Sequence, residues 1–488
     1  MNRKMIIYAL GFILKIEGLL MIPSLLIAIG YREKGSYAFL ITIGLLLLIG
    51  QILSYKKPEK RKIYGKDGFV IVSLAWILFS MFGGLPFYIS REIPSYVDCI
   101  FETVSGFTTT GASILTNVEG LSHGMLFWRS FTHWIGGMGV LVFILAIVPL
   151  AEGTSVHLMK AETTGPTYGK LVPKLKKTAT ILYTIYVALT VIMVIFLLFG
   201  GMPLFDSVLH AFGTAGTGGF GIKNNSVAYY NSPYIEWVIA IFMLIFAVNF
   251  TMFYLILCGN IKQVLKSEEL RWYLVIVALS VAAITYDIRA IYNIWDGLRE
   301  SSFHVASIIS TTGFSATDYN VWPEFSKSIL FMLTLFGGCA GSTAGGLKIA
   351  RLVILFKSIV HQIKSLIYPK YVNVVRFEGI VLEEKRVKET NNYLTIYTFI
   401  MLLSFLLISM DKYDFETTAT AVATTLNNVG PGLGVVGPAG SFSGFSPFSK
   451  IVLSLNMLIG RLEIYPMMVL LSPSLYKVKR KTKQLKNM

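Results

Sequence analysis

Ser310-Thr311-Thr312-Gly313-Phe314 follows an amphipathic run, residues 299–309, and precedes a long apolar segment. Three more stretches sit in the same setting: Thr108-Thr109-Thr110-Gly111-Ala112, Gly216-Thr217-Gly218-Gly219-Phe220 and Asn427-Asn428-Val429-Gly430-Pro431. With Gly111, Gly219, Gly313 and Gly430 taken as equivalent, successive copies lie 108, 94 and 117 residues apart. The runs before them, 95–107, 205–215, 299–309 and 414–426, hold roughly 11–13 residues, against the ~20 a membrane span needs. Each suits a half-depth, re-entrant helix. Four copies in one chain predict four quarters about one axis, the geometry in which backbone oxygens can surround a bare ion.

The register supports repetition. Thirteen residues before each reference glycine stand Asp98, Asp206, Glu300 and Thr417, types that suit a helix start, where they meet free N–H groups and the positive end of the dipole. Six residues before stand Ser105, Gly213, Ser307 and Thr424, small enough for close packing. The partly negative C-terminal ends of the four short helices would then face the centre and favour a cation. The alternative, four unrelated Gly/Thr loops, does not account for their shared register.

The composition requires a membrane. Of 488 residues 54% are hydrophobic and 14% charged, and mean hydropathy is +0.64; a soluble chain of this length would carry more surface charge. Apolar runs near 5–30, 37–54, 69–90, 122–150, 178–200, 234–259, 271–291, 325–347, 392–410 and 449–472 approach or exceed span length. The first, led by Asn2, Arg3 and Lys4, lacks a small-residue cleavage site and is expected to stay as a helix. The net charge of +16 is distributed as topology, with nothing to indicate nucleic acid. With loops assigned alternately to two sides, 31 of 43 Lys/Arg fall on one side and nine on the other, while Lys15, Arg129 and Arg461 lie within or beside apolar runs. The basic side and both termini are therefore expected in the cytoplasm, where they can touch anionic lipid or a partner. Cys99, Cys258 and Cys339 show no metal spacing or disulfide framework.

These readings predict an all-α membrane protein: four pseudo-repeats of helix, re-entrant loop and helix around one central pore, plus two extra N-terminal helices. The expected boundaries are an appendage at 1–54, repeats at 68–150, 174–260, 270–360 and 392–476, a cytoplasmic linker at 361–391 and a basic tail at 477–488.

Non-helical backbone at membrane depth is tolerated where it lines a cavity or is buried in protein. The candidate ion ligands are the oxygens of Thr109, Thr110, Thr217, Gly218, Thr311, Thr312, Asn428 and Val429, shaped by Gly111, Gly219, Gly313 and Gly430. Uncharged carbonyls suit a large monovalent ion and cannot strip a small divalent one. A second feature, Gly337-Gly338-Cys339-Ala340-Gly341-Ser342-Thr343-Ala344-Gly345-Gly346-Leu347-Lys348, interrupts an apolar run with five glycines and predicts a helix break. It reads as a gate loop across the path, the alternative being a small-residue packing face. It is not a phosphate-binding loop, since Leu347 separates the last Gly from Lys348. A third is Arg461, placed as a permeation barrier or, alternatively, as a structural partner of Glu463 or of carbonyls. Glu17 is expected to pair with Lys15 or to pack; Asn117, Asp318 and Asn320 to shape the entrance; His210 and His304 to make structural hydrogen bonds; and Trp128, Trp134, Tyr230, Tyr234, Trp237, Trp272 and Trp322 to anchor at interfaces. No catalytic constellation stands out, so an enzyme is not expected.

Together the four glycine stretches, Gly337–Lys348, Trp134-Ile135-Gly136-Gly137-Met138-Gly139, Ala161-Glu162-Thr163-Thr164-Gly165-Pro166 and Gly460-Arg461-Leu462-Glu463-Ile464 resemble the Trk/Ktr/HKT superfamily of potassium transporters. The two N-terminal helices make the chain similar to its bacterial TrkH branch. The resemblance implies a homodimer with one pore per subunit, potassium as the ion held at the filter residues, a gating loop in the third repeat and a role for Arg461 in the path. It also implies a cytosolic ring of TrkA-type nucleotide-binding subunits acting through ATP or NAD, with no nucleotide site on this chain. Gly111, where some sodium-transporting relatives carry serine, favours potassium. Pro431 departs from the Phe that follows the second and third reference glycines. Coupling to protons or sodium stays open, as does a less selective potassium/sodium pathway.

Overall fold

The computed structural model describes residues 1–59, 65–139, 175–368 and 374–473. The Ala161–Pro166 motif and the tail at 477–488 lie outside the described residues. The described chain is helical, with one two-stranded hairpin, Arg376–Phe377 paired with Ile380–Val381. Among the described residues six helices are long and apolar enough to cross a membrane. A seventh span arises if Pro233–Phe246 and Phe250–Leu257, bent by 93°, count together.

The N-terminal pair forms as expected, although the first helix is divided into Arg3–Leu20 and Ile22–Gly30. Gly11 and Gly50 bring the backbones of the first and third helices so close that a Cβ on either would meet the other's carbonyl, the close approach that small residues permit. Glu17 is fully buried. Lys15 instead donates to Gln51 Oε1 at 2.6 Å, so Glu17 takes the packing role.

The four short helices are Tyr96–Phe107, Leu204–Ala215, Ile294–Ile309 and Phe415–Asn427. Their starts differ from the expected register. Asp98 and Asp206 do lie in first turns, but the third helix begins at Ile294 under an Asn293 cap, leaving Glu300 well inside it. Thr417 is itself capped by Asp414. Side-chain oxygens before N1 thus do the capping in three of the four helices.

The long helices that follow the glycine stretches are interrupted more often than the sequence suggests. One is helical from His123 to Gly137, turns at Met138 and resumes at Gly139, the last described residue of that stretch. The next bends between Phe246 and Phe250, where Asn249 caps the second half through Thr251 N–H. The third breaks at the glycine-rich loop, between Glu324–Leu335 and Ile349–Ile367; its chain is non-helical, so a helical packing face is excluded. The last breaks between Arg461 and Tyr465, where Glu463 and Ile464 adopt φ of 55° and 67°.

Buried clusters sit between the short helices and these interrupted ones. Trp128 and Trp322, read as interfacial anchors, are instead 0% and 2% exposed; Trp128 donates to Gly83 O and Trp322 packs on His304. His210 and His304 make the expected structural bonds, each donating Nδ1–H to a carbonyl, of Asp206 and of Glu300, 2.8 Å away.

Candidate ion site

Each short helix ends in the same way. Thr110, Gly218, Thr312 and Val429 N–H groups reach back to Ser105, Gly213, Ser307 and Thr424 carbonyls at 2.8–2.9 Å. Thr109, Thr217, Thr311 and Asn428 N–H groups bond to Gly106, Thr214, Ile308 and Thr425 carbonyls at 3.0–3.4 Å. This paired closure is a Schellman motif and needs one left-handed residue. That residue is Thr109, Thr217, Thr311 or Asn428, with φ of 54–58°. Asn tolerates this region, whereas a β-branched Thr there is strained by about 1–3 kcal/mol. Two residues on, Gly111, Gly219, Gly313 and Gly430 have φ of 74–95°.

The four stretches meet. A Cβ on Gly111 would overlap Gly218 O, one on Gly219 would overlap Thr312 O, one on Gly313 would overlap Val429 O, and one on Gly430 would lie 2.6 Å from Thr110 O. The contacts therefore run from the first stretch to the second, third, fourth and back to the first. They close a ring in which every glycine faces the carbonyl just before its neighbour's glycine. All four glycines line a cavity of about 200 Å³. The entrance residues link neighbours around it: Asn224 donates to Asn117 at 3.1 Å, and Asn320 accepts from Gly434 N–H at 3.2 Å. Asp318 caps Asn320 N–H. Pro431 does not disturb the fourth stretch, since Gly430 keeps the left-handed geometry of its counterparts.

The Gly337–Lys348 loop folds against the ring's other side. Gly345 N–H donates to Thr311 Oγ1 at 2.7 Å, and a Cβ on Gly345 would crowd Asn427 O and Asn428 Cβ. Gly337 and Gly338 lie against Gly345 and Ala247 O, and Gly341 against Asn249. Thr343 Oγ1 donates to Phe246 O at 3.1 Å, and Lys348 Nζ donates to Ala344 O and Gly345 O. Ser342 Oγ bonds to Cys339 O and Gly346 takes φ 66°. Arg461 ties the loop to the helix His123–Gly137 of the first quarter: it donates to Thr343 O at 2.7 Å, to Gly136 O at 2.6 Å and to Gly137 O at 3.1 Å. Glu463 pairs with Arg351, leaving carbonyls as the observed acceptors of Arg461.

The sequence reading missed two groups. Arg129 and Glu102 form a buried ion pair at 2.6 Å, signalled only by a basic residue in an apolar run behind an acid in the short helix. His133 lies directly behind Gly218, where a Cβ would strike its ring.

A family model, TrkH, described as cation transport protein, matches residues 35–478. The chain belongs to the TrkH family. It is 36% identical over 470 residues to the Trk system potassium uptake protein TrkH of Salmonella typhimurium, covering 94% of this chain and 96% of that protein. It is 30% identical to the TrkH protein of Halomonas elongata, covering 98% and 100%. The crystal structure of the potassium transporter TrkH from Vibrio parahaemolyticus superimposes with a TM-score of 0.87 at 30% identity, covering 98% of this chain and all of that one. TrkH is a family of membrane transporters, and nothing in it points to catalysis.

Proposed function

We propose that the chain takes up potassium across the cytoplasmic membrane through a filter formed by its four glycine stretches. The observation that carries this reading is the closed ring: four identical helix terminations, each glycine set against the next stretch's carbonyl. The ion is the cargo, and the carbonyls of Thr109, Thr110, Thr217, Gly218, Thr311, Thr312, Asn428 and Val429 replace its hydration shell. Dipoles without full charge compensate the weak hydration of a large monovalent cation and fail for a small divalent one. Four helix C-termini aimed at the ring add a further negative potential. Potassium then enters down its electrochemical gradient, drawn by an inside-negative potential worth about 2.3 kcal/mol per charge at 100 mV.

In this reading the Gly337–Lys348 loop is the gate. It crosses beneath the ring, bonded to Thr311 and clamped by Arg461, and the guanidinium opposes cations while the loop stays in place. The basic loops and both termini face the cytoplasm, two copies associate, and a cytosolic nucleotide-binding ring of the TrkA type moves the loop through ATP or NAD. The names of the relatives, Trk system potassium uptake proteins, support potassium as the cargo and a system of more than one part.

The test is flux into liposomes holding the purified protein, with an inside-negative potential and no pH or sodium gradient. Potassium and rubidium flux is expected; flux that requires an added proton or sodium gradient overturns simple conduction. Gly111→Ser adds a side chain at φ 82° against Gly218 O and is expected to lower the potassium-to-sodium permeability ratio. An unchanged ratio removes Gly111 from the filter.

A further inference from the structure

Glu102 and Arg129 take no part in the reading above. Glu102 belongs to the first short helix and Arg129 to the helix His123–Gly137, and they are 1% and 4% exposed. Beyond its 2.6 Å contact with Arg129 Nε, the Glu102 carboxylate accepts from Ser113 Oγ at 2.9 Å and from Ile114 N–H at 2.9 Å. Those residues stand two and three places after Gly111. Arg129 Nη1 donates to Gly221 O at 2.8 Å, and its guanidinium lies 3.5 Å from the centre of the Phe220 ring. Those residues stand two and one places after Gly219. The pair therefore grips both strands leaving the junction where Gly111 meets Gly218 O.

The other three junctions are closed by neutral bonds: Val227 N–H to Ser315 O at 3.1 Å, Gly434 N–H to Asn320 Oδ1 at 3.2 Å and Phe442 N–H to Ser113 O at 2.8 Å. Ion pairs do cross between quarters there, as in Arg299–Glu236, Lys327–Glu416 and Lys450–Asp98. Among the described residues, none of these bonds to backbone within three residues of a reference glycine. A buried pair taken out of water contributes little net stability against well-packed apolar residues, so stability alone does not explain this one. Charge-assisted bonds in a fixed fork do impose spacing and direction.

We infer that Glu102–Arg129 is a positioning pair for ion discrimination: it fixes the separation of the strands after Gly111 and Gly219, and so the carbonyl spacing on one side of the ring. The inference rests on the reading of the ring as a filter. Neither side chain touches the ion; the effect passes through Ser113, Ile114 and Gly221.

The experiment measures potassium-to-sodium permeability ratios of purified full-length variants in liposomes. Arg129→Lys keeps the charge but loses the fork and its stacking. Glu102→Gln/Arg129→Gln leaves no unpaired buried charge and serves if the first variant does not fold. Each is expected to lower the ratio ~10-fold, the equivalent of one lost charged hydrogen bond, with maximal potassium flux changed far less. Lys357→Met, which removes an ion pair with Glu268 away from the ring and its junctions, is expected to keep the parental ratio. A parental ratio in either folded pair variant, with Gly111→Ser still lowering it, overturns the inference and spares the filter reading. Parental ratios in all of them, Gly111→Ser included, overturn both.

Discussion

Gly218 is the one of the four ring-carbonyl residues without a side chain: the equivalent positions carry Thr110, Thr312 and Val429. The reason lies behind it. His133 fills the volume a Cβ would need, its ring standing edge-on to Phe220 with centroids 4.1 Å apart. Imidazole and glycine are thus a matched pair in which the side chain on one helix replaces the missing one on the stretch. Gly218→Thr, which restores the residue type of the first and third stretches, should overpack the site by about 1–3 kcal/mol. It should lower the unfolding temperature measured in detergent. Adding His133→Ala should recover most of that loss, and failure to recover it would separate the two residues. None of this was legible in the sequence, where Gly218 reads as one more flexible filter glycine and His133 as a lone histidine without ligand partners. By contrast Gly111, Gly219, Gly313 and Gly430 were legible, because their φ is a local demand that few residue types meet.

Among elements, the short helices could be read because their signals are local: 12–16 residues, an amphipathic face and a closing turn of small residues. The breaks in the long helices could not, save the third, because their causes lie elsewhere in the chain. The bend after Phe246 contains no glycine. It is held by Asn249, and by Phe250 N–H, which donates to Gly341 O from the Gly337–Lys348 loop. The left-handed Glu463 is held by Arg351, 112 residues away. The Gly337–Lys348 loop is in turn anchored near both ends by one carboxylate, since Glu269 accepts Ala340 N–H at 2.6 Å and Ala350 N–H at 3.1 Å. Removing residues between Ala340 and Gly345 withdraws the segment that covers the ring without disturbing those anchors. Basal potassium flux in liposomes should rise in the absence of any partner, and unchanged flux would mean that the loop does not obstruct the path. Arg461→Ala removes donors to Thr343, Gly136 and Gly137, and charged bonds of this kind contribute about 1.5–3 kcal/mol each. It should raise flux through the protein that remains folded and lower its unfolding temperature together. A lower unfolding temperature with parental flux would leave Arg461 a structural clamp only.

At the scale of the whole molecule, the ring is held by junctions rather than by one core. Each boundary between quarters carries an ion pair: Lys223–Glu119 at 3.7 Å, Arg299–Glu236 at 2.7 Å, Lys327–Glu416 at 3.8 Å and Lys450–Asp98 at 2.6 Å. All four basic members belong to the sparsely charged side assigned outside by the loop count. Lysine and arginine are scarce there, and four of the nine join quarters. In the proposed topology the excess on the opposite side sets orientation and meets a partner. This division leads to a prediction about cells. Expressed in a strain lacking its own potassium uptake, the chain should restore growth at low external potassium, and a cytosolic nucleotide-binding regulatory subunit should strengthen that rescue. On the proposed reading of the ring as an uncoupled filter, collapsing the membrane potential should abolish uptake, whereas shifting external pH at constant potential should leave it near its starting rate. Uptake that follows the pH gradient and survives loss of the potential would mean that the ring is only part of a coupled mechanism. The buried titratable groups that border it, His133 and the Glu102–Arg129 pair, would then be the first positions to substitute.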